Sequence, residues 1–278
     1  MKVLYIEKMD KPIIAIKKIQ IKQDNCKLAI NLESENNIKK IIRKLVKNEV
    51  LNVVLSKDLQ NNEKLIKALN ANDINIFDGR WLEKFLAIDI LDYIVTKKNI
   101  KKEEIEIAIT VNQITDLSLS TIKTLAKQYK RLTVVTNHIE KLQKIEKNIY
   151  DTEGVLIVIS NNKKKSLLKP TMILNMDFNK ELLNKYRINE NAIIVNLEGD
   201  MKIEEKRFNG ININDYEVDI GREENVWREN MKSFRNKDLL EAILFTKDTL
   251  DNVYNNIKKN KVSIKELYGV NGKIERFS

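Results

Sequence analysis

Glycine is scarce in this chain, which has only 7 glycines among 278 residues. Between Gly79 and Gly154 the sequence contains none. Dinucleotide-binding βαβ units carry a glycine-rich loop that lets backbone N–H groups approach a pyrophosphate, so no loop of that kind lies in this stretch. A nucleotide site there would need a different chemistry.

Cysteine is almost absent as well. Cys26 is the only one, so the chain can form neither an intramolecular disulfide nor a metal site built from cysteines. The residues that follow it are strand-like, and we expect nothing near it to lower the pKa of its thiol. We therefore expect Cys26 to be a small, partly buried side chain and not a catalytic thiol.

Long hydrophobic runs are missing too. The longest apolar stretches, such as residues 85–88, are interrupted by charged residues within a few positions. A transmembrane helix needs about 20 mostly apolar residues, and a signal peptide needs an apolar segment followed by a small-residue cleavage site. The sequence predicts a soluble, cytoplasmic protein with no membrane partner.

Positive charge exceeds negative charge, with a formal net charge of +10 at pH 7. The excess is mostly lysine and is spread along the whole chain, and the densest run, at 163–165, has no neighbouring aromatic residue. Proteins that bind nucleic-acid phosphates tend to cluster arginine and lysine on one face. We expect a solvated basic surface and no nucleic-acid partner, with a nucleic-acid-associated protein as the second alternative.

The first 98 residues alternate short β-rich runs with helical patterns. Runs at 3–6, 14–16, 19–21 and 28–32 are separated by polar turns and favour two or three antiparallel strands. An amphipathic helix, a buried strand at 51–56, a helix at 63–69 and a strand at 74–77 follow. This order predicts a small α/β domain at 1–98 that ends in a long helix at 80–97.

The alternation is clearer in the second part, predicted as a domain at 99–222. Its strands are expected at 105–111, 132–136, 155–159, 171–175 and 192–197, with helices at 118–130, 139–150 and 179–186. Near-continuous apolar strands are typical of a parallel sheet covered on both faces. The remainder, 223–278, is predicted as a helical segment whose helix at 238–259 packs back on the domain junction.

Two segments of the second part have asparagine at the end of a predicted strand. Residues 134–141, VVTNHIEK, place Asn137 and His138 there, and residues 169–177, KPTMILNMD, place Asn175 and Asp177. With the strand at 192–197, these segments resemble the cofactor domain of shikimate dehydrogenases and glutamyl-tRNA reductases. The resemblance covers roughly residues 105–197 and implies a Rossmann-like parallel sheet, so the predicted fold class is α/β.

The resemblance also implies where a ligand would lie. It points to a crevice at the strand ends, lined by Asn112, Asn137, His138, Asn175 and Asp177, and to NAD or NADP as the cofactor if one is bound. The sequence departs from the family at these same positions. The turn at 112–118 has no glycine, His138 stands where the family has an arginine for a 2′-phosphate, and Asp177 replaces a threonine. A degenerate dinucleotide-binding domain without a firmly predicted cofactor is therefore expected.

His138 is the only histidine, and two interpretations of it stay open. It lies at the end of a strand, where open α/β sheets place their ligands, or it is simply a turn residue at the start of a helix. No carboxylate partner for it is evident in the sequence. Neither Ser118 nor Ser120 lies in a nucleophile-elbow pattern, so a serine–histidine triad is not supported.

Two groups of acidic residues have both a structural and a functional interpretation. Asp116, with Ser118 and Ser120, is expected to cap the helix after the first strand of the second part, and otherwise would bind a small polar or cationic group. Asp215, Glu217 and Asp219 alternate and so share one face of a strand. We expect that face to be an exposed edge, the alternative being a hard metal site.

The function favoured by the sequence is non-catalytic. We expect binding or regulation through the crevice of a Rossmann-like domain, with an unknown small molecule or a protein as the partner. The alternative is an NAD(P)-dependent oxidoreductase of the shikimate dehydrogenase-like group. That alternative requires a cofactor loop without glycine.

Overall fold

The computed structural model describes residues 3–8, 19–22, 25–28, 32, 34–199, 201–204, 208–219, 231–247, 253, 255, 257 and 262–277. The chain forms two compact units. Unit 1 comprises Met1–Leu82 and Val218–Ser263, and unit 2 comprises Glu83–Glu217 and Ile264–Ser278. The predicted domain boundaries at residues 98 and 222 stay predictions.

Unit 1 contains a five-stranded sheet in the order β2-β3-β1-β4-β5. The strands are β1 (Val3–Lys8), β2 (Ile19–Lys22), β3 (Asn25–Leu28), β4 (Asn52–Leu55) and β5 (Asn75–Phe77). β1 pairs in parallel with both β3 and β4, β4 pairs in parallel with β5, and only β2 runs antiparallel to its neighbour. Four strands therefore end at the same edge of this sheet.

Helices cover both faces of the unit 1 sheet. On one face lie α1 (Glu35–Lys47) and α2 (Glu63–Asn70), whose leucines and isoleucines at helical spacing enter the larger core. On the other face α8 (Asn236–Lys247) buries Leu239 and Ala242 against Val54 and Phe77. The expected α/β layering of the N-terminal part is thus present, with a C-terminal helix as part of it.

The predicted antiparallel arrangement of the first strands is wrong for β1. Tyr5 is in register with Asn25 of β3 and with Val54 of β4, and both pairings are parallel. Short β-rich runs carry no information on strand direction, because alternation and composition are the same for both. The predicted strand at 14–16 lies outside the described residues, and the run at 28–32 begins where β3 ends.

Unit 2 is built on an eight-stranded sheet in the order β13-β12-β11-β10-β9-β6-β7-β8. Its strands are β6 (Glu106–Thr110), β7 (Arg131–Val135), β8 (Val158–Ser160), β9 (Met172–Asn175), β10 (Ile193–Asn196), β11 (Ile211–Asp219), β12 (Ser263–Gly269) and β13 (Gly272–Lys273). β6 to β11 are all parallel. Counted from β6, their spatial order is 3-2-1-4-5-6, that of the doubly wound dinucleotide-binding fold, so the predicted Rossmann-like α/β class is confirmed.

The helices of unit 2 either precede its first strand or follow later ones. They are α4 (Ala87–Lys98), α5 (Asp116–Gln128), α6 (Ile139–Glu153) and α7 (Lys180–Leu183), preceded by the short α3 (Arg80–Phe85). The single helix expected at 80–97 is thus two helices. The break falls at Leu86, whose φ of −90° and ψ of 7° leave helical geometry. Leucine is a strong helix former, so neither residue type nor apolar spacing predicts this break.

Several strands differ from the sequence expectations. β8 begins three residues later than the predicted 155–159 and includes only its end, and β12 and β13 were not expected. The predicted helix at 238–259 corresponds to α8, and most of its second half lies outside the described residues. Within the described part of the chain, every helix is too short or too polar to cross a bilayer.

Candidate functional site

The candidate site lies at the carboxyl ends of β6 and β9, which are neighbours in the middle of the unit 2 sheet. From β6 the chain continues to β7 on one side, and from β9 it continues to β10 on the other. Two connections that diverge in this way leave a crevice at the strand ends, and open α/β sheets bind their ligands there. The loops that border it begin at Val111, after β6, and at Met176, after β9.

A carboxylate from the second loop occupies the first. Asp177 Oδ1 and Oδ2 accept hydrogen bonds from the backbone N–H of Asn112 at 2.7 and 2.9 Å, and Oδ2 also accepts one from the N–H of Gln113 at 2.5 Å. In a dinucleotide-binding unit the corresponding loop turns its N–H groups toward a pyrophosphate. Here the protein supplies its own anion to those donors.

The electrostatics of Asp177 reflect this position. Burial raises the pKa of its carboxyl group, and the N–H groups of Gln113 and Asn112 act in the opposite direction. Two further charges act on it: Glu198 raises the pKa and Lys84 lowers it. Lys84 Nζ lies 3.2 Å from Glu198 Oε1, so these two charges form a pair beside Asp177. Neither was identified from the sequence, because both lie outside the motifs that resemble a family.

Side chains at the start of α5 accept hydrogen bonds from backbone N–H groups of the same turn. Thr115 Oγ1 accepts from the N–H of Ser118 at 3.2 Å, and Ser118 Oγ accepts from the N–H of Thr115 at 2.9 Å, which is a reciprocal capping box. Ser118 therefore contributes to the cap as expected. Asp116 is the first helical residue and not the cap, which is Thr115.

Asn112 connects the loops that follow β6 and β7. Its Oδ1 accepts a hydrogen bond from the backbone N–H of Asn137 at 2.9 Å. The N–H of His138 donates to Thr136 Oγ1 at 3.0 Å, so the turn after β7 is held by side chains on both sides of it. Asn137 and His138 are both exposed, and His138 precedes α6 without a capping hydrogen bond from its side chain.

Asn175 lies deeper than the other four predicted site residues. It is 0% exposed, and its Oδ1 accepts from Thr110 Oγ at 2.5 Å and from the N–H of Phe178 at 3.0 Å. Its Nδ2 donates to the carbonyl oxygen of Phe178 at 2.9 Å and to Asn196 Oδ1 at 3.2 Å. Direct contact of Asn175 with a ligand would require these bonds to open.

The polar chain that begins at Thr110 crosses four parallel strands. Asn196 Nδ2 donates to Asn214 Oδ1 at 3.0 Å, and Asn214 Nδ2 donates to the carbonyl oxygen of Met201 at 3.0 Å. These asparagines are buried, and each amide finds partners inside the protein. Such a network fixes the loops that follow β9 and β10, because a buried amide without partners is costly.

The structure thus brings Asn112, Asn137 and Asp177 together, since Asn112 bonds to both of the others. His138 follows Asn137 and is exposed, and Asn175 is buried beneath them. Their role as ligand contacts stays a prediction. These residues were chosen because residues 134–141 and 169–177 resemble strand-end segments of the shikimate dehydrogenase group.

Asp177 occupies two N–H donors that border this crevice. The N–H groups of Asn112 and Gln113 already bind a carboxylate, and a second anion placed beside it would be repelled. NAD or NADP could use these donors only after Asp177 had moved away. A carboxylate and a phosphate compete for the same pair of donors.

The remaining sequence candidates have structural roles. Cys26 is fully buried, whereas a partly buried side chain was expected, and burial raises the pKa of its thiol to about 11, with Lys44 acting in the other direction. Asp215, Glu217 and Asp219 do share one face of β11. β11 lies between β10 and β12, so the expected edge strand is wrong. No cluster of metal-binding side chains occurs in the described part of the chain.

Comparison with known proteins gives fold likeness only. No family model matches the chain, and no curated protein matches it. It is similar to the solved structure of a shikimate dehydrogenase in complex with NADP+, with 13% identity, 68% of this chain and 73% of that chain covered, and a TM-score of 0.34. L-tryptophan dehydrogenase from Nostoc punctiforme gives 9% identity, 85% and 75% coverage and a TM-score of 0.35.

Shikimate 5-dehydrogenase from Listeria monocytogenes, in complex with shikimate and NAD, gives 10% identity, 88% and 96% coverage and a TM-score of 0.35. The group that the sequence resembles is thus among the solved structures that this chain is similar to. With scores and identities this low, the likeness carries no argument about activity. The strand order within unit 2 is what establishes the fold.

Proposed function

We propose that this protein is a non-catalytic binding or regulatory protein whose Rossmann-like unit does not use a dinucleotide. One observation carries the proposal. The carboxylate of Asp177 accepts from the N–H groups of Asn112 and Gln113, which are the donors that this fold offers to a phosphate. The crevice beside it is left to a small molecule or a segment of a partner protein.

The energetics support an internal anion that stays in place. Hydrogen bonds to a charged group contribute about 1.5–3 kcal/mol each, so two donors hold Asp177 by several kcal/mol. An intramolecular carboxylate also needs no association entropy, whereas a free nucleotide loses translational and rotational freedom on binding. To bind at these donors, a dinucleotide therefore has to offset both the lost hydrogen bonds of Asp177 and its own loss of translational and rotational freedom.

Thermal unfolding with NAD, NADP and their reduced forms tests the proposal. A ligand that binds only the native state raises the melting temperature, by an amount that grows with ligand concentration. We expect no rise for any of the four at millimolar concentration. A saturable rise with one of them would overturn the proposal and favour the alternative.

The alternative is an NAD(P)-dependent oxidoreductase, and the strand order of unit 2 favours it. The order 3-2-1-4-5-6 is the one that dinucleotide-binding enzymes use. This candidate requires Asp177 to leave the loop when the cofactor binds. It predicts that Asp177→Ala binds NAD or NADP more tightly than the wild-type protein and that turnover follows, whereas the binding role predicts no turnover in either.

A further inference from the structure

Unit 1 has a switch point of its own, distinct from the crevice of unit 2. In its sheet β1 lies between β3 and β4, and the chain passes from β3 across β1 to reach β4. The connections after β1 and β4 therefore diverge, toward β3 and toward β5. By the rule that applies to open α/β sheets, a ligand site is expected at the carboxyl ends of β1 and β4.

Three buried side-chain oxygens at that edge lack a hydrogen-bond partner among the described residues. They are Ser56 Oγ, Gln60 Oε1 and Asp238 Oδ1. Ser56 is 1% exposed and Asp238 is 0% exposed. Buried polar atoms are nearly always hydrogen-bonded in native proteins, so a group of three that is not points to something that binds there.

Gln60 is hydrogen-bonded to both of the other residues, since its backbone N–H donates to the carbonyl oxygen of Ser56 at 3.2 Å and its side chain donates to Asp238. Gln60 Nε2 donates to Asp238 Oδ2 at 2.5 Å and to the carbonyl oxygen of Leu55, the last residue of β4, at 3.1 Å. Both partners are oxygens, so the amide must turn its NH2 group to them and leave Oε1 as an acceptor. Ser56 follows Leu55 directly, and its N–H donates to the carbonyl oxygen of Ile6 in β1 at 2.9 Å.

The charge at this edge is incompletely compensated. Burial raises the pKa of Asp238 to about 7, against the influence of Lys237, Arg235 and the hydrogen bond from Gln60, while Asp78 raises it further. The positive neighbours therefore do not offset the loss of water around the carboxylate. Burial therefore disfavours the ionised carboxylate even with Lys237 and Arg235 acting on it.

We propose that Ser56, Gln60 and Asp238 bind a small monovalent cation, either a potassium-sized metal ion or an ammonium group, free or at the end of a small amine. The carboxylate of Asp238 supplies a negative charge opposite to that of the cation. The three side-chain oxygens supply acceptors for it. A divalent metal ion is a poorer fit, because it prefers several carboxylates and the described residues show no such cluster. The site lies in unit 1 and does not depend on the function proposed for unit 2.

The test compares chloride salts of different cations at constant ionic strength. The melting temperature is measured at about pH 8, where Asp238 is mostly ionised, in ammonium, potassium, sodium and methylammonium chloride, with tetramethylammonium chloride as the reference. We expect ammonium or potassium to raise it by several degrees in a saturable manner. A response to potassium alone indicates a metal-ion site, and a response shared by ammonium and methylammonium indicates an amine site.

Variants assign the effect to these residues. Asp238→Asn should abolish the cation response, and Ser56→Ala should weaken it several-fold. Asp58→Asn, which removes an exposed carboxylate from the same turn, should leave it unchanged. If Asp238→Asn does not fold, Ser56→Ala decides. Equal melting temperatures in all salts, or an unchanged response in Ser56→Ala, would overturn the proposal.

Crystals soaked in thallium(I) give an independent measurement. An anomalous peak within contact distance of Ser56 Oγ, Gln60 Oε1 and Asp238 Oδ1 is expected. Density that fits a water molecule and shows no anomalous signal would overturn the cation assignment.

Discussion

Asp177 accepts two hydrogen bonds from a single backbone N–H group, that of Asn112, through carboxylate oxygens at 2.7 and 2.9 Å. Asn112 follows β6 by two residues and Asp177 follows β9 by two residues, so the contact joins the loops after the two middle strands of the six parallel ones. A side chain thus stands where the fold commonly holds a phosphate.

Removing the carboxylate of Asp177 should lower stability. Asp177→Ala leaves the N–H groups of Asn112 and Gln113 without their acceptor, at a cost of about 2–4 kcal/mol in the free energy of unfolding. Urea denaturation measures this difference. Glu198→Gln serves as the control, because Glu198 is exposed and its pairing with Lys84 contributes at most about 1 kcal/mol. Equal losses in the two variants would contradict the assigned role.

The buried asparagine network should contribute more to the free energy of unfolding than the exposed turn at Asn137. Asn175→Ala removes an amide that bonds Thr110, Phe178 and Asn196, and we expect a loss of about 2–4 kcal/mol in urea denaturation. Asn137→Ala should change stability by less than about 0.5 kcal/mol, since Asn137 is exposed and its bond to Asn112 comes from the backbone. A neutral Asn175→Ala would show that the network is not formed.

Stability should fall as the pH rises through about 7. The folded-state pKa of Asp238 is raised from 3.8 to about 7, so the folded state binds a proton that the unfolded state does not. The resulting stabilisation is complete below pH 3.8 and is lost as the pH rises through about 7. Urea denaturation in tetramethylammonium buffer across this range should show the decline, and Asp238→Asn should reduce its slope.

Glu241 should also make stability fall as the pH rises, so Asp238→Asn alone should not abolish the pH dependence of the free energy of unfolding. Burial raises its pKa to about 7, although its carboxylate accepts from the N–H groups of Gly79, Trp81 and Leu82. The double variant Asp238→Asn with Glu241→Gln should be nearly flat between about pH 5 and 8. A double variant with the wild-type slope would assign the pH dependence to other groups.

Two glycines of unit 2 should respond very differently to alanine. A Cβ on Gly210 would lie 2.1 Å from the backbone oxygen of Ala192, and backbone cannot move aside cheaply. We expect Gly210→Ala to cost at least about 3 kcal/mol in urea denaturation. Gly154, which ends α6 at a φ of +68°, has open space around it, so Gly154→Ala should cost about 1 kcal/mol from backbone strain alone. Similar losses would contradict the close strand approach at Gly210.

Much of the sheet of unit 2 could be predicted from the sequence, because β6, β7, β9 and β10 are apolar runs bounded by polar turns. The break at Leu86 could not, since the residues around it all favour helix. The parallel direction of β1 could not either, because it depends on where α1 and β2 place the next strands.

The candidate site was located by pattern, but its chemistry required the structure. Asn137, His138 and Asp177 were chosen from the resemblance to the shikimate dehydrogenase group, at the ends of predicted strands. That Asp177 turns toward the N–H groups of Asn112 and Gln113, rather than toward solvent, depends on loop geometry that no sequence motif encodes. Asn196 and Asn214 were missed as parts of a network, because alternating asparagines in a strand look like surface positions until the facing loops are known.

The most direct test of the account is the response of Asp177→Ala to inorganic pyrophosphate. If the carboxylate occupies an anion position, its removal should create a site, so pyrophosphate should raise the melting temperature of the variant in a saturable manner and leave the wild-type protein unchanged. Glu198→Gln, which keeps Asp177, should behave like the wild type. Identical responses of wild type and Asp177→Ala, whether both shift or neither does, would contradict the claim that Asp177 stands in for a phosphate.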